Sequence, residues 1–204
     1  MVLQHTLNVP VDILGQDMLA SAFVVEGHNS PVDCLMIHAG KIAQLTRSPC
    51  PIRIHSGCLM GDVFDVPDCD CAWQLRHALR VITHAGSGAI MYLPGDEGQA
   101  NGLVAKLASM PIVRKGISPA EAYLELGLAG DQRSYDAPAG VLTFLGVRAV
   151  RLITNNPAKI TALVHYGVDV VQRIPSVQPA PTPQLRAYLQ SKMREGHLIE
   201  LTQH

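Results

Sequence analysis

The first fifty residues carry short apolar runs that are separated by Gly, Asn and Pro. Two of these runs, 20–25 and 34–37, predict strands, and the turn residues between them favour antiparallel pairing in a β-rich N-terminal lobe. After residue 56 the period changes, because apolar residues from Trp73 to Ile82 recur at helical spacing and Gly86 follows as a helix stop. The pattern therefore predicts a strand-rich start followed by a helix.

The rest of the chain alternates between strands and helices. A short buried strand is predicted at 89–93, and a strand, a helix and a strand at 149–153, 157–165 and 168–172 form a βαβ unit. Such alternation indicates an α/β fold with a mixed or mostly parallel sheet flanked by helices. A proline-rich stretch then precedes a final helix near 184–195.

The composition narrows the class of protein. The chain has 204 residues, of which 48% are hydrophobic and only 16% are charged, and this excludes a disordered chain. The formal net charge of −1 argues against a nucleic-acid binder, which needs a surplus of cations. We predict one domain over 1–176, with 1–50 as its β-rich lobe, and a C-terminal helix and tail over 177–204. Because a low charge leaves room for a subunit interface, we expect a homodimer.

Neither a membrane segment nor a leader is predicted. The first basic residue is Lys41, so the N-terminus lacks the basic start of a signal or transit peptide. No apolar run approaches the ~18 residues that span a bilayer. The five cysteines are an odd number, which disfavours a disulfide framework. We therefore expect a cytoplasmic protein.

Three of the cysteines are clustered in the sequence. Cys58, Cys69 and Cys71 offer three soft ligands within one short segment. Thiolates suit zinc, and a zinc site with three protein ligands keeps a fourth position for water, whose pKa the metal lowers towards neutrality. A catalytic zinc site is one interpretation. A structural site with His55 as the fourth ligand, and small cysteines buried in a core, are the other two.

Seven motif segments follow one another along the chain: 53–62 (RIHSGCLMGD), 69–75 (CDCAWQL), 96–103 (DEGQANGL), 126–135 (LGLAGDQRSY), 145–147 (LGV), 151–159 (RLITNNPAK) and 167–175 (GVDVVQRIP). Together they resemble GTP cyclohydrolase II, the enzyme that opens riboflavin biosynthesis. The resemblance extends in order over about residues 50–176. It implies the fold of that family, GTP or a related purine nucleotide as substrate, hydrolytic opening of the imidazole ring at C8, and release of formate and diphosphate.

The resemblance also implies roles for particular residues. Cys58, Cys69 and Cys71 fall on the zinc ligands of the family. Asp131 falls on its proposed acid/base residue, and Arg133 on the nucleophile thought to attack the α-phosphate. Magnesium bound to the triphosphate is expected as well. The positions that contact the nucleotide in the family correspond to Arg53, His55, Ser56, Gln74, Glu97, Gly98, Gln99, Thr154 and Lys159.

Several of these residues suit a nucleotide on chemical grounds alone. Residues 154–157 lie between a predicted strand and helix, where backbone N–H groups and Lys159 suit a phosphate. Arg53 and Arg133 add charge-assisted contacts, and Glu97 is an acceptor for the two N–H donors of a guanine edge. Plainer interpretations stay open for each, namely solvated surface charges, loop-capping carboxylates and a simple helix N-cap.

The sequence departs from the family pattern near the expected nucleotide. Gln99 stands where the family has arginine, and Gly57 where it has glutamate. Ser118 and Pro119 replace an Asp-Thr pair whose threonine contacts the nucleotide. Ser118 can replace the lost hydroxyl only if it does not cap the helix that follows.

Met110 is the departure with the largest chemical consequence, since the family normally has a tyrosine there. A tyrosine hydroxyl can move a proton or position a second water, whereas a thioether cannot donate a proton. Formate release needs a second hydrolysis after ring opening. We therefore predict a formamidopyrimidine nucleotide as the product. The alternatives are complete GTP cyclohydrolase II action, a paralogue that acts on another purine nucleotide, and a non-catalytic relative that binds zinc or nucleotide.

Overall fold

One mixed sheet runs through the part of the chain that the structure, a computed structural model, describes, which is residues 2–27 and 31–201. Its strands are β1 (Val2–Ile13), β2 (Gln16–Val25), β3 (Cys34–Ala39), β4 (Cys50–Ser56), β5 (Gly88–Leu93), β6 (Ala149–Ile153) and β7 (Asp169–Ile174). Their order across the sheet is β1-β2-β3-β5-β4-β6-β7. The helices are α1 (Ile42–Leu45), α2 (Leu59–Asp62), α3 (Cys71–Ala85), α4 (Gly102–Val113), α5 (Pro119–Glu125), α6 (Asp136–Phe144), α7 (Pro157–His165) and α8 (Pro183–Arg194).

The pairing of the strands changes from antiparallel to parallel at β5. The pairs β1–β2, β2–β3 and β3–β5 are antiparallel, whereas β5–β4, β4–β6 and β6–β7 are parallel. The mixed α/β sheet predicted from the sequence is confirmed, and the βαβ unit corresponds to β6, α7 and β7. The β-rich N-terminal region is the antiparallel half of this same sheet, because β3 joins it to β5.

Several element boundaries follow the signals in the sequence. α3 ends where Gly86 adopts a left-handed conformation with a φ of +66°. Ser118 and Glu121 form a reciprocal capping box at the start of α5. β7 begins at Asp169 and α8 at Pro183, each one residue from the predicted start.

The central strand β4 was not predicted, and its burial explains why. It carries Pro51, Arg53 and His55, yet every residue from Cys50 to His55 is buried. A strand covered on both faces does not alternate between apolar and polar residues, so periodicity does not reveal it. β1, α4 and α6 were also missed.

Helices cover both faces of the sheet and enclose two cores. On one face, Ile54 of β4 and Leu152 of β6 share a cluster with Leu142 of α6 and Leu163 of α7. On the other face, Ile90 of β5 packs in a cluster with the α3 residues. The sheet is therefore the middle layer of three, the usual arrangement of an α/β protein.

The C-terminal helix has an apolar cluster of its own, formed by Leu185, Leu189 and Ile199. Residues 202–204 of the predicted tail lie outside the described residues, and the division at residue 176 stays a prediction. None of the helices in residues 2–27 and 31–201 combines the length and the apolar character needed to cross a lipid bilayer.

Candidate active site

The parallel strands bring the predicted site residues to one edge of the sheet. β4 ends at Ser56, β5 at Leu93 and β6 at Ile153, and because these strands are parallel, all three ends lie on the same side. Ligands of α/β proteins bind in the crevice beyond the carboxyl ends of such strands. The cysteine segment, the glycine-rich loop and residues 154–157 each follow one of these ends.

The three clustered cysteines meet in space. Their sulfur atoms lie within 4.8 Å of one another, and the Sγ atoms of Cys58 and Cys69 are 3.9 Å apart. Gly61 leaves room for the sulfurs, because a Cβ at this position would lie 2.9 Å from the Cys69 Sγ and 2.9 Å from the Cys71 Cβ. The cluster has the composition and closeness that a metal with soft sulfur ligands requires.

Charge around the cluster favours a deprotonated sulfur. Hydrogen bonds with Cys69 and Cys71 lower the pKa of Cys58, whereas hydrogen bonds with Cys58 and Cys69 raise the pKa of Cys71. Burial acts to lower the pKa of Lys106, but the charges of the cysteines outweigh it and leave that pKa raised. An ammonium group therefore stays charged beside the sulfurs, as a site for thiolate ligands needs.

His55 lies outside the cysteine cluster. Its Nε2 is 3.0 Å from the Asp62 Oδ1, and its ring stacks on Tyr92 with the ring centroids 5.5 Å apart. The Asp62 Oδ2 accepts hydrogen bonds from the Tyr92 hydroxyl at 3.1 Å and from the Cys58 N–H at 3.0 Å. Burial lowers the pKa of His55. His55 therefore supports the carboxylate that holds the Cys58 backbone, and it does not join the sulfurs as a fourth ligand.

Lys159 is buried and does not form a solvated surface charge. It is only 4% exposed, and its Nζ donates to the Ile54 carbonyl at 2.8 Å and the Ser56 hydroxyl at 3.3 Å. Burial lowers its pKa well below the usual value, and the positive charges of Arg53 and Arg133 act in the same direction. An anionic ligand would relieve this crowding of cations.

The segment after β6 contains a helix cap, but Thr154 is not the cap residue. Asn156 caps α7, since its Oδ1 accepts the Ala158 N–H at 2.9 Å. The Thr154 hydroxyl accepts the Asn156 N–H at 3.0 Å and is buried in front of the cap. A helix N-cap therefore accounts for Asn156. It does not account for the burial of the Lys159 ammonium group one turn further along α7.

Arg53 is a second buried cation. Its Nη1 donates to the Ile153 carbonyl at 3.1 Å and its Nη2 to the Gln74 Oε1, while the Gln74 Nε2 donates to the Asp70 Oδ2 at 2.6 Å. The Nε of Arg53 has no hydrogen-bond partner among the described residues. Buried donors are normally satisfied, so this N–H is available to a ligand.

Arg133 and Asp131 form a bidentate ion pair. The Arg133 Nε donates to the Asp131 Oδ1 at 2.8 Å, and Nη2 donates to Oδ2. Burial acts to raise the pKa of Asp131, but the bonds and charge of Arg133 prevail and lower it. Asp131 also accepts the Arg133 N–H at 3.1 Å, so it acts as a loop-capping carboxylate as well.

The loop after β5 carries a run of left-handed residues. Gly98, Gln99 and Ala100 have φ values of +61°, +56° and +65°. At Gly98 only glycine fits, because a Cβ would lie 2.5 Å from the Gly102 carbonyl oxygen. Gln99 is 8% exposed, and its Oε1 has no partner among the described residues. Strain of this kind collects at ligand sites.

Two predicted nucleotide contacts are engaged within the protein. The Glu97 carboxylate accepts the Leu59 N–H at 2.5 Å and the Gly98 N–H at 3.1 Å. The Ser118 hydroxyl accepts the Glu121 N–H at 3.3 Å within the capping box. Ser118 is therefore committed to the helix cap and does not replace the lost threonine hydroxyl.

Asn101 ties the loop after β5 to the loop that carries the ion pair. Its Nδ2 donates to the carbonyls of Gly98 at 3.2 Å and Gly130 at 3.0 Å, and its Oδ1 accepts the Gln132 Nε2 at 2.9 Å. The Gln132 N–H donates to the Gln99 carbonyl at 3.1 Å. The two loops therefore hold each other in place.

Two small adjoining cavities connect these groups, with volumes of about 90 Å³ and 70 Å³. They are parts of one cleft, because Ser56, Cys71, Arg133, Tyr188 and Lys192 line both. Of the predicted site residues, the first is also lined by Arg53, His55, Gln74, Thr154 and Lys159, and the second by Cys58, Glu97, Gly98 and Gln99.

Three predicted site residues do not line this cleft. Asp131 is exposed and forms an ion pair with Arg133, and the Sγ of buried Cys69 lies 3.9 Å from the Cys58 Sγ. Met110 lies on α4, one turn beyond Lys106, and lines neither cavity. A larger groove of about 880 Å³ lies beside the hairpin of β1 and β2, and none of the predicted site residues lines it.

Comparison with known proteins places this arrangement in a family. The sequence model of GTP cyclohydrolase II matches residues 6–175. The chain belongs to the GTP cyclohydrolase II family. The resemblance noted in the sequence is thereby confirmed, and so is the enzyme class, a hydrolase of this type.

Relatives extend the match. The chain is 46% identical over 151 residues to the GTP cyclohydrolase-2 of Streptomyces coelicolor, covering 73% of this chain and 68% of that protein. It is 44% identical over 149 residues to the riboflavin biosynthesis protein RibBA of Salinispora tropica, and 42% identical over 152 residues to that of Aquifex aeolicus. These matches cover 72% and 74% of this chain, which spans only 37% of each RibBA protein.

The cleft of this family member contains residues that sequence reasoning missed. Lys106 lies on α4 beside the cysteines, while Tyr188, Lys192 and His197 come from the C-terminal segment. His197 belongs to no motif in the sequence, yet it lines the cleft. Only the proline-rich stretch and the helix after it signalled that this segment folds, and neither signal showed where it packs.

Proposed function

We propose that this protein is a zinc-dependent hydrolase that opens the imidazole ring of GTP at C8 and releases diphosphate. One observation carries the proposal, which is the joining of the sulfur cluster to a cation-lined cavity within a single cleft. Cys71 and Arg133 line both parts of that cleft. A metal that activates water and cations that hold a triphosphate are the two requirements of this reaction.

The residues present fit a zinc ion. Three buried or half-buried thiols lie together, Lys106 adds a compensating charge, and Gly61 keeps the space between the sulfurs open. Cys58, Cys69 and Cys71 would hold the ion. Zinc bound there would supply a Lewis acid that makes water nucleophilic near neutral pH.

The cations of the first cavity would bind the triphosphate. The Arg53 Nε–H has no hydrogen-bond partner within residues 2–27 and 31–201, and Lys159 is held in the interior by backbone and hydroxyl oxygens. Arg133 would attack the α-phosphate, and Asp131 orients its guanidinium through the bidentate pair. Magnesium would accompany the phosphates and offset the charge that the cations do not neutralise.

Glu97, Gly98 and Gln99 would recognise the base. The Glu97 carboxylate holds two backbone N–H groups in the structure, and the N–H donors of a guanine edge would compete for the same oxygens. The unpartnered Oε1 of Gln99 is a further acceptor in the second cavity. Both acceptors suit a purine with an exposed amino group.

The proposed product is a formamidopyrimidine nucleotide, because the Met110 thioether cannot donate a proton. Complete reaction with formate release is the second candidate. Two phenols favour it, since Tyr123 and Tyr188 line the cavity next to the sulfurs and either hydroxyl is able to position water.

The test is to incubate the zinc-loaded protein with GTP and magnesium, identify the products by mass spectrometry, and assay formate and diphosphate separately. We expect diphosphate and a formamidopyrimidine nucleotide without formate. Formate that matches the loss of substrate would establish the complete reaction. Intact GTP would contradict the proposal and leave another purine nucleotide, or binding without turnover, as the function of the cleft.

A homodimer is also proposed. Its support is the low charge of the chain and the exposure of Leu103, Val104 and Leu107 on α4, where Val104 is 85% exposed. Sedimentation at several concentrations tests it, and a monomer at all of them would refute it.

A further inference from the structure

Several hydrogen bonds hold the segment after β7 against the residues around the cleft. The Asn155 side chain bonds the Ser176 N–H at 3.0 Å and the Ser176 carbonyl at 2.7 Å, and the Asn155 carbonyl accepts the Leu198 N–H at 2.7 Å. On the other side, the Arg194 Nη2 donates to the Gly116 carbonyl at 3.0 Å. α8 therefore has a defined position over the cleft, although it lies beyond the family match, which ends at residue 175.

The first cavity has more cations than carboxylates. It is lined by Arg53, Arg133, Lys159 and Lys192, and Asp70 is the carboxylate that lines it with them. Asp131 pairs with Arg133 and Glu195 with Lys192, so four cations face three carboxylates. His55 and His197 also line it, and burial lowers the pKa of both imidazoles, so they add no charge at neutral pH. The net positive charge that remains would be neutralised by a bound polyanion.

Lys192 is the cation that α8 contributes to this cavity. The residue is 6% exposed, and its Nζ donates to the Glu195 Oε2 at 2.6 Å. An ammonium group has three donors, and Glu195 accounts for one hydrogen bond. Because Lys192 also lines the second cavity, together with Gln99, it faces both parts of the cleft.

We propose that Lys192 binds the polyphosphate of the nucleotide, so that α8 supplies a substrate-binding residue from outside the matched part of the chain. The inference rests on the proposed function for the identity of the nucleotide. The binding of a polyphosphate by Lys192 is inferred from the lining of the cleft and does not depend on the proposed function.

A purely structural ion pair is the competing explanation, and Glu195 separates the two. If Lys192 only stabilises α8, loss of either partner of the pair should damage the protein to a similar extent. If Lys192 holds phosphate, its loss weakens binding, whereas loss of the Glu195 charge leaves the ammonium free for the phosphate and does not weaken binding.

The experiment titrates inorganic tripolyphosphate, which has no base and no imidazole ring, into the zinc-loaded protein by calorimetry. We expect Lys192→Met to weaken binding at least about tenfold, and to raise the KM for GTP more than it lowers kcat. Lys192→Arg should bind within about threefold of the parent, and Glu195→Gln no more weakly than the parent. Arg186→Met, which removes a cation of α8 that lines neither cavity, is the matched control and should bind as the parent does.

Equal binding by Lys192→Met and the parent would overturn the inference, as would equal weakening by Lys192→Met and Glu195→Gln, or a parent that does not bind tripolyphosphate. If thermal unfolding shows that Lys192→Met does not fold, the double variant K192M/E195Q removes both charges and takes its place against Glu195→Gln. Binding of tripolyphosphate that depends on Lys192, in a protein that leaves GTP intact, would refute the proposed function and sustain this inference.

Discussion

Gly61, which has no side chain, shapes the sulfur cluster as much as the cysteines do. Gly61 has an ordinary backbone conformation, so a larger residue is tolerated there by the backbone and excluded only by its neighbours. Those neighbours are the Cys69 Sγ and the Cys71 Cβ, each 2.9 Å from the point that a Cβ of residue 61 would occupy. The need for glycine at this position is therefore a property of the thiol cluster.

Gly61→Ala is expected to lower the affinity for zinc by about tenfold or more, because the added methyl group would push the sulfurs apart. Competition with a chromogenic chelator measures the affinity. Gly140→Ala is the matched control, since a Cβ at Gly140 of α6 meets no atom within 4 Å. Equal zinc affinity in Gly61→Ala and the parent would show that the sulfurs do not need this space.

Met110→Tyr tests the proposed product. The substitution supplies a phenol at the position where the family normally has one, and we expect the ratio of formate to diphosphate to rise at least about tenfold. Leu107→Tyr adds a phenol on the exposed side of the same helix and should leave the ratio unchanged. No increase in formate from Met110→Tyr would mean that another group limits the second hydrolysis.

Single residues in the site were predictable where a motif surrounds them. The sequence motifs include the three clustered cysteines together with Arg53, Thr154 and Lys159. All of these residues except Cys69 line the cleft. The roles of Glu97 and Ser118 as partners of backbone N–H groups depend on local loop geometry, which the residue type alone does not specify. Lys192 had no motif at all.

At the scale of elements, two loops form a unit through Asn101. Its side chain makes three hydrogen bonds, to Gly98, Gly130 and Gln132. The loop it reaches also carries Asp131 and Arg133. The position of the ion pair therefore depends on a loop that begins some thirty residues earlier, and the chain between them folds into α4 and α5.

Asn101→Ala should destabilise the protein by about 1–3 kcal/mol, because it removes these three side-chain bonds and takes from the Gly130 carbonyl the donor that ties the two loops together. We also expect kcat to fall by about tenfold through displacement of Arg133. Denaturant unfolding and steady-state kinetics measure the two effects. Gln132→Ala removes only one of the bonds and should cost less, and a larger loss in Gln132→Ala than in Asn101→Ala would contradict this account.

Helices and strands were predictable from the sequence where one of their faces is exposed to solvent. α3 and α7 show their period and their end signals in the sequence. β4 does not, since it is buried on both sides and carries Arg53 and His55 in its interior. The sequence signals for α8 gave its approximate bounds, but its packing over the cleft depends on hydrogen bonds to Asn155 and Gly116, which are remote in the chain.

For the whole molecule, closure of the cleft by the C-terminal segment makes stability depend on pH. Burial, together with the charges of Lys192 and Arg133, lowers the pKa of His197 to about 4. In the unfolded chain a histidine titrates near ~6.5. Between these values the unfolded chain binds a proton that the folded protein does not, so stability is full above about pH 6.5 and falls as the pH drops towards about 4.

His197→Gln should reduce the loss of stability between pH 7 and pH 5 by about 1–2 kcal/mol relative to the parent. Urea unfolding at the two pH values measures the difference. His38, His55 and His77, whose pKa values burial also lowers, are present in both proteins and cancel in the comparison. The same pH dependence in both would show that His197 is solvated in the folded protein.

The wide spacing of the parallel strands along the chain has a consequence for biosynthesis. Cys58 and Cys71 lie close together in sequence, whereas Arg53 of β4 and Ile153 of β6, which are bonded to each other, are 100 positions apart. Loop closure over that distance is slow, and α8 is translated later still. During translation, the thiols of Cys58 and Cys71 are therefore exposed to metal and oxidant before α8, which helps to line the cleft around them, has been synthesised. We expect metal loading to precede completion of the cleft, and oxidation to be most damaging to nascent chains.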